Sequence, residues 1–206
     1  MINKKIPDII IGRLPQYLRA LGWLEMEGKQ TTSSQELGEN LGMSAAQIRK
    51  DLSQFGGFGK QGMGYSIPLL IKELRRILRV EKPWDVALIG VGHVGVAITH
   101  YEGFQGRGFN IALAFDSDPT KSGKVIGNIT VKPMTEMEFA IHKAGIVIAM
   151  LTVPPNQAQA ITDRLIKAGV RTILNYAPIN LKVPSGIRVR VIDPVIELQR
   201  MTYYLE

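Results

Sequence analysis

Residues 86–104, VALIGVGHVGVAITHYEGF, contain Gly90-Val91-Gly92-His93-Val94-Gly95, spaced G-x-G-x-x-G. A loop of this kind does its chemistry with main chain. Gly90 permits a tight turn, Gly92 lets a pyrophosphate approach the backbone, and Gly95 allows a helix to pack closely on a strand. The apolar run before it reads as a strand and the residues after it as a helix. That helix would turn free N–H groups and the positive end of its dipole toward an anion. The next apolar run, NIALAFDSD, ends at Asp116, 21 residues beyond Gly95. A carboxylate there accepts hydrogen bonds from ribose hydroxyls and repels a 2′-phosphate, which favours NAD(H) over NADP(H). Asp118 suits a cap in the following turn. The same glycines also fit two other readings: packing alone, or a different nucleotide such as coenzyme A.

Hydride transfer needs a substrate pocket and usually a proton donor or acceptor. The only histidines are His93, His100 and His142. His93 lies inside the glycine loop, and the other two sit in expected helices. Tyr101 and Asp193 are polar groups within reach of a nicotinamide by position, but they form no catalytic set. There is no cysteine, which excludes disulfides, thiolate metal sites and cysteine nucleophiles. No metal-ligand cluster stands out. The expectation is a nucleotide-binding protein that is not an enzyme.

A second set of residues precedes the loop. SAAQIRKDLSQFGG places Ala45, Ile48, Leu52 and Phe55 on one helical face. Lys50 centres the opposite face, flanked by Ala46, Gln47, Ser53 and Gln54, with Arg49 at the edge. Small residues permit approach to base edges, amides and hydroxyls hydrogen-bond, and cations meet phosphate or guanine. A solvated amphipathic helix would show a similar face. Two capping patterns, Ser33-x-x-Glu36 and Ser44-x-x-Gln47, open short helices joined by a turn after Gly42, as in a helix-turn-helix. The following GGFGKQGMGYSI, rich in glycine and carrying Lys60 and Gln61, suits a hairpin wing.

The elements that must carry these residues divide near Pro83. Before it the pattern is helical, with Leu14, Leu18, Leu21 and Leu24 at helical spacing and Gly28 as a stop. After it, strands are expected at 85–90, 110–116, 146–151, 171–175 and 187–192. Helices are expected at 94–102, 135–144, 156–168 and 194–205. That alternation implies a doubly wound parallel sheet. The fold class is therefore α/β, with a winged-helix DNA-binding domain at 1–82 and a Rossmann-like nucleotide domain at 83–206. Residues 1–82 hold 13 Lys/Arg against 8 Asp/Glu, and residues 83–206 hold 12 against 10. Most of the net charge of +7 thus lies in the segment that would meet DNA. No run of about 18 apolar residues occurs, so no transmembrane helix is expected. The first 20 residues lack the form of a signal peptide, and a cytoplasmic location follows as the expectation.

The sequence resembles the Rex-type redox-sensing transcriptional repressors of bacteria. The blocks that carry the resemblance run in order through nearly the whole chain: RLPQYLRAL, SSQELGENLGMSAAQIRKDLSQFGGFGKQGMGY, LIGVGHVGVAITHYEGF, AFDSDPTKSGKVIG, LTVPPNQAQAITDRLIKAGVRTILNYAP and VIDPVIELQRMTYYL. The resemblance implies a homodimer that binds an inverted-repeat operator in double-stranded DNA and responds to NADH and NAD⁺. It implies repression of genes for NADH-consuming and fermentative pathways, released as the NADH/NAD⁺ ratio rises. It also implies a C-terminal helix exchanged between subunits. The residues it points to are Gly90 to Gly95 and Asp116 for the nucleotide, with Thr152, Val153, Pro154 and Asn175 as further walls. Arg49 and Lys50 fall at DNA-contacting positions, and Arg19, Tyr101 and Asp193 at positions of redox-dependent contacts. Two departures stand out: Gln61 where the wing often carries Arg, and Pro194 where a larger apolar residue is common.

Reduced and oxidised nicotinamide differ by one positive charge, and a water-poor pocket magnifies that difference. The nucleotide then acts as a signal. Two rival readings remain: a small NAD(H)-dependent oxidoreductase with a basic helical appendage, and a coenzyme A-binding module. Val195, Leu198, Met201 and Leu205 form one apolar stripe near the C-terminus, which folds back on its own domain or crosses to a partner.

Overall fold

The structure, a computed structural model, describes residues 6–56, 59–60, 64–104 and 106–205. Its contacts divide the chain into two units, the first ending at Lys82 and the second beginning at Pro83.

The first unit comprises α1 (Asp8–Ile11), α2 (Leu14–Met26), β1 (Thr31–Thr32), α3 (Ser34–Leu41), α4 (Ala45–Leu52), β2 (Gly59–Lys60), β3 (Gly64–Ser66) and α5 (Ile67–Ile77). Both capping patterns close as the sequence suggests. The Ser33 hydroxyl accepts the Glu36 N–H at 3.1 Å and the Ser44 hydroxyl accepts the Gln47 N–H at 3.2 Å, each worth about 1 kcal/mol. Between them α3 ends on Gly42 in the left-handed region, φ 64°, which turns the chain into α4. The three strands pair antiparallel in the order β1-β3-β2, giving the winged-helix arrangement. Leu14, Tyr17, Leu21, Leu37, Ile48, Leu52, Leu70 and Leu74 fill the core. Each fully buried leucine contributes about 1.5–3 kcal/mol.

Two local expectations shift. The four-residue α1 gave no pattern long enough to read. The helix expected to run to Gly56 stops at Leu52, where the Ser53 hydroxyl donates to the Lys50 carbonyl at 2.8 Å and competes with helical continuation. Phe55 still packs on the core from the turn beyond.

The second unit comprises β4 (Trp84–Ile89), α6 (His93–Thr99), β5 (Phe109–Asp116), β6 (Val125–Ile126), β7 (Ile129–Pro133), α7 (Met137–Ala144), β8 (Ile148–Leu151), α8 (Pro155–Lys167), β9 (Thr172–Asn175), β10 (Arg188–Val191) and α9 (Pro194–Thr202). The sheet order is β10-β9-β8-β4-β5-β7-β6. All pairs are parallel except the β6–β7 hairpin. The six parallel strands therefore follow the Rossmann order, with β4 central and the switch point between β4 and β8. Val86 and Leu88 face one apolar cluster with Ile98, while Ala87 and Ile89 face another with Ile141 and Leu165. That two-sided burial explains the unbroken apolar run of β4. Strands β6 and β7 were not anticipated: β7 is five residues long, ends in Pro133 and follows a tight turn, so it shows little alternation.

α9 buries no residue. Its predicted stripe is present and open: Val195 is 54% exposed, Leu198 60%, Met201 64% and Leu205, beyond the helix, 75%. Asp193 caps α9 by accepting the Val195 N–H at 2.9 Å. Pro194 occupies the first helical position, where a missing N–H costs nothing.

Candidate functional site

The loop after β4 is built by mutual exclusion. At Gly90, φ +90°, an added Cβ would lie 2.7 Å from the Thr152 carbonyl oxygen, and at Gly95 it would collide with the Gly90 carbonyl oxygen. The Thr152 hydroxyl donates to the Gly90 carbonyl at 2.6 Å and lies 3.0 Å from that of Ile89. Thus Gly90, Gly95 and Thr152 lock strand to helix. Gly92 differs: its φ is −80°, and a Cβ there would meet nothing within 4 Å. Among the described residues no atom requires glycine at 92, so the cradle it leaves fits close approach by a phosphate. His93 and Val94 follow as the exposed first residues of α6, whose leading N–H groups have no carbonyl in a preceding turn to bond.

Asp116 ends β5 beside this loop, 8% exposed. One carboxylate oxygen accepts the Val91 N–H at 2.7 Å and the Lys121 ammonium at 3.0 Å, and the other accepts the Asp118 N–H at 2.8 Å. Burial works against its ionisation. The hydrogen bonds from Asp118, Val91 and Lys121 outweigh it, so the carboxyl titrates below its ordinary value. A carboxylate offers about four acceptor directions, and three are taken. Asp118, more open, caps Thr120.

Thr152, Val153 and Pro154 leave the end of β8, and Asn175 ends β9, so these residues share the carboxyl edge of the sheet with the glycine loop. Asn175 is fully buried. Its amide N donates to the carbonyls of Ala177 and Ile179 at 2.9 and 3.1 Å, and its amide O accepts the Ala177 N–H at 2.9 Å. Both ends of the amide are thus engaged by the loop that follows, which shapes the wall. Tyr101 follows the far end of α6, 56% exposed and edge-on to Phe104.

In the first unit, α4 presents Ala46, Arg49 and Lys50 to solvent, and its C-cap Ser53 is also exposed. Arg49 donates to the Ser34 hydroxyl at 2.9 Å, which ties it to the first turn of α3. Gln47 is half-buried, with its amide N donating to Asp51 at 2.7 Å. Gln61 lies outside the described residues, and of Lys60 only the backbone, in β2, is described. Asp51 itself went unread in the sequence. Its side chain is fully buried, held by Arg13 through Nε at 2.6 Å and Nη2 at 2.8 Å and by the Tyr17 hydroxyl at 2.6 Å. A signal existed: Asp51 falls on the apolar stripe of Ile48 and Leu52, where a carboxylate needs buried partners.

A family model described as "CoA binding domain" matches residues 81–179, and one described as "Putative DNA-binding protein N-terminus" matches residues 5–53. A redox-sensing transcriptional repressor Rex from Roseiflexus sp. is 52% identical over 97% of this chain and 90% of its own. That of Brevibacillus brevis is 40% identical over 98% of each. The chain belongs to the Rex family of redox-sensing transcriptional repressors. RSP, a Rex-family repressor, in complex with β-NAD⁺ and operator DNA matches with a TM-score of 0.91 at 37% identity, covering 98% of this chain and 94% of that one. RSP in complex with β-NADH matches with a TM-score of 0.89 at 35% identity, over 98% and 95%. The coenzyme A model stops short of the head and of α9. The Rex relatives run through both, which disfavours the coenzyme A and oxidoreductase readings.

Two of the residues that the resemblance assigns to a switch have local partners. Arg19 is exposed on α2, with its guanidinium 5.2 Å from the centre of the Trp23 ring. Asp193 is engaged as the α9 cap. No helix among the described residues is long and apolar enough to cross a membrane, and no His/Cys/Asp/Glu group among them is arranged for a metal.

Proposed function

We infer that this chain is a redox-sensing transcriptional repressor and not an enzyme: a homodimer that binds operator DNA, with NAD⁺ and NADH as effectors. The observation that carries this is near-full-length similarity to Rex repressors, together with the match to RSP bound to β-NAD⁺ and operator DNA. The head, residues 1–82, is the DNA-binding domain, with α4 in the major groove and the β2–β3 wing, Lys60 and Gln61 included, beside it. Residues 83–206 bind the nucleotide and dimerise. As a chromosomal regulator the protein acts in the cytoplasm.

The residues of the glycine loop fit a dinucleotide. Gly92 leaves room for the pyrophosphate and the α6 N–H groups face it. Asp116 keeps one acceptor direction for an adenosine ribose hydroxyl. Thr152 to Pro154 form the wall across the switch point. When bound, NAD(H) supplies a nicotinamide ring that is cationic when oxidised and neutral when reduced. By the resemblance, Arg19, Tyr101 and Asp193 are the residues of the redox-dependent switch. A bias of about 1–3 kcal/mol between two states changes DNA affinity 5- to 150-fold. The exposed stripe of α9 is the dimer contact and is exchanged between subunits. Burying four apolar side chains explains why the stripe is left open in one chain.

The test is binding to a palindromic operator with NADH, NAD⁺ or coenzyme A present in turn, with mass followed by light scattering. NADH alone should release the DNA. Truncation before Asp193 should give monomers or aggregates that bind the operator poorly. A truncated dimer, or release by coenzyme A, overturns the corresponding part.

A further inference from the structure

The buried carboxylate of Asp51 has a consequence for what α4 can read. Its Oδ2 accepts from Arg13 Nε and the Tyr17 hydroxyl, both at 2.6 Å. Its Oδ1 accepts from Arg13 Nη2 at 2.8 Å and Gln47 Nε2 at 2.7 Å. Four donors meet about four acceptor directions, so the group is saturated. Burial opposes its charge, but the hydrogen bonds from Arg13, Tyr17 and Gln47 prevail and the carboxyl stays below its ordinary value. A carboxylate held in that state only accepts. The group that Gln47 turns toward it must therefore be the NH₂, and the amide cannot flip.

Gln47 stands one turn before Asp51, in the first turn of α4, next to exposed Ala46. With Nε2 anchored, the planar amide directs Oε1 away from Asp51. Among the described residues Oε1 takes no hydrogen bond from protein and is not a buried unpartnered atom, so it meets solvent. The other partners of Asp51 come from the start of α2, Arg13 as its N-cap and Tyr17 in its first turn, and they fix the rotation of α4 about its axis. An ion pair of this kind is weak evidence for stability, and its best-attested use is to fix a register.

We propose that Asp51 is a positioning residue for sequence readout: it holds the Gln47 amide with its carbonyl oxygen outward, so that Gln47 selects a base whose major-groove edge offers an N–H donor, adenine N6 or cytosine N4, over guanine or thymine. The proposal rests on the reading of α4 as the DNA-reading helix.

The test starts with the full-length wild-type protein, which selects duplexes from a pool of randomised inverted repeats. Failure to select any sequence overturns that underlying reading, before any variant is used. Affinities are then measured on the selected duplex and on derivatives with one base pair changed in both half-sites. Wild type should prefer adenine or cytosine at one step by about 5- to 150-fold. Gln47→Leu, which leaves Asp51, Arg13 and Tyr17 in place, should lose that preference and keep those at other steps. Asp51→Asn offers a donor as well as an acceptor, so the amide is free to turn. Its preference at the same step should collapse or move to guanine or thymine, with the salt dependence unchanged. In the wild-type protein the Gln47 side-chain NH₂ protons should exchange with solvent more slowly than those of exposed Gln54, a readout independent of the folding of Asp51→Asn. Unchanged base preferences in Gln47→Leu, unchanged preferences in a folded Asp51→Asn, or Gln47 exchange as fast as that of Gln54 each overturn the proposal.

Discussion

Asp51 in the head and Asp116 in the nucleotide domain are both buried carboxylates held below their ordinary value, and their partners differ in kind. Asp51 is met by three side chains from two helices and has no acceptor direction left. Asp116 is met by two main-chain N–H groups and one lysine, and keeps a direction open. A saturated carboxylate is a clamp, whose removal strands buried donors. An unsaturated one held by backbone is shaped by its loop and still able to receive a ligand. Burial and pKa alone would not separate the two; the count and origin of donors does.

The largest expected effect comes from breaking the clamp. Asp51→Ala leaves Arg13 and the Tyr17 hydroxyl unpaired and should cost about 3–5 kcal/mol of stability, read from urea unfolding of the full chain. The same exchange at Asp116 should act mainly on the ligand. Asp116→Ala should weaken NADH by about 1–3 kcal/mol and narrow the preference over NADPH, in fluorescence titrations. If Asp116→Ala instead matched Asp51→Ala in lost stability with NADH affinity intact, the contrast would fail.

A smaller effect separates the glycines. Gly92→Ala should leave unfolding within about 1 kcal/mol of wild type yet lower NADH affinity, because its Cβ enters only the cradle. Gly95→Ala should destabilise the fold itself, because its Cβ meets the Gly90 carbonyl oxygen. Calorimetry with and without NADH checks both. The smallest effect is on acid stability. Both carboxyls titrate below the ordinary 3.8 when folded, so their stabilisation is fully present above that value and is lost as pH falls through the lower folded values. Asp51→Asn should flatten the acid limb of a Tm–pH curve more than Asp116→Asn.

The glycine loop, the switch-point sheet and the two capped helices were legible because each is a local pattern: a spacing, a period or a cap. Asp51 was not, since Arg13 lies 38 residues away in sequence and the partner of a buried charge leaves no local trace. Its place on the apolar stripe was the one visible sign. Residue type places Gln47 on the outward face of its helix, but an amide also serves its own fold, as that of Asn175 does, and only geometry shows which end is engaged. β7 escaped because five residues ending in proline carry almost no period.

The wiring of the central strand also bears on the order in which the protein acquires its shape. Val86 in β4 pairs with Ile111 in β5 and Ile148 in β8, so the middle of the sheet waits for chain made some 60 residues later, and β9 and β10 stack on only after that. Closing such spans costs entropy before any pairing rewards it. The head, by contrast, is built from helices adjacent in sequence and is synthesised first. On the ribosome it should therefore have its final form while the nucleotide domain is still an open chain, and each new molecule holds its reader before its sensor.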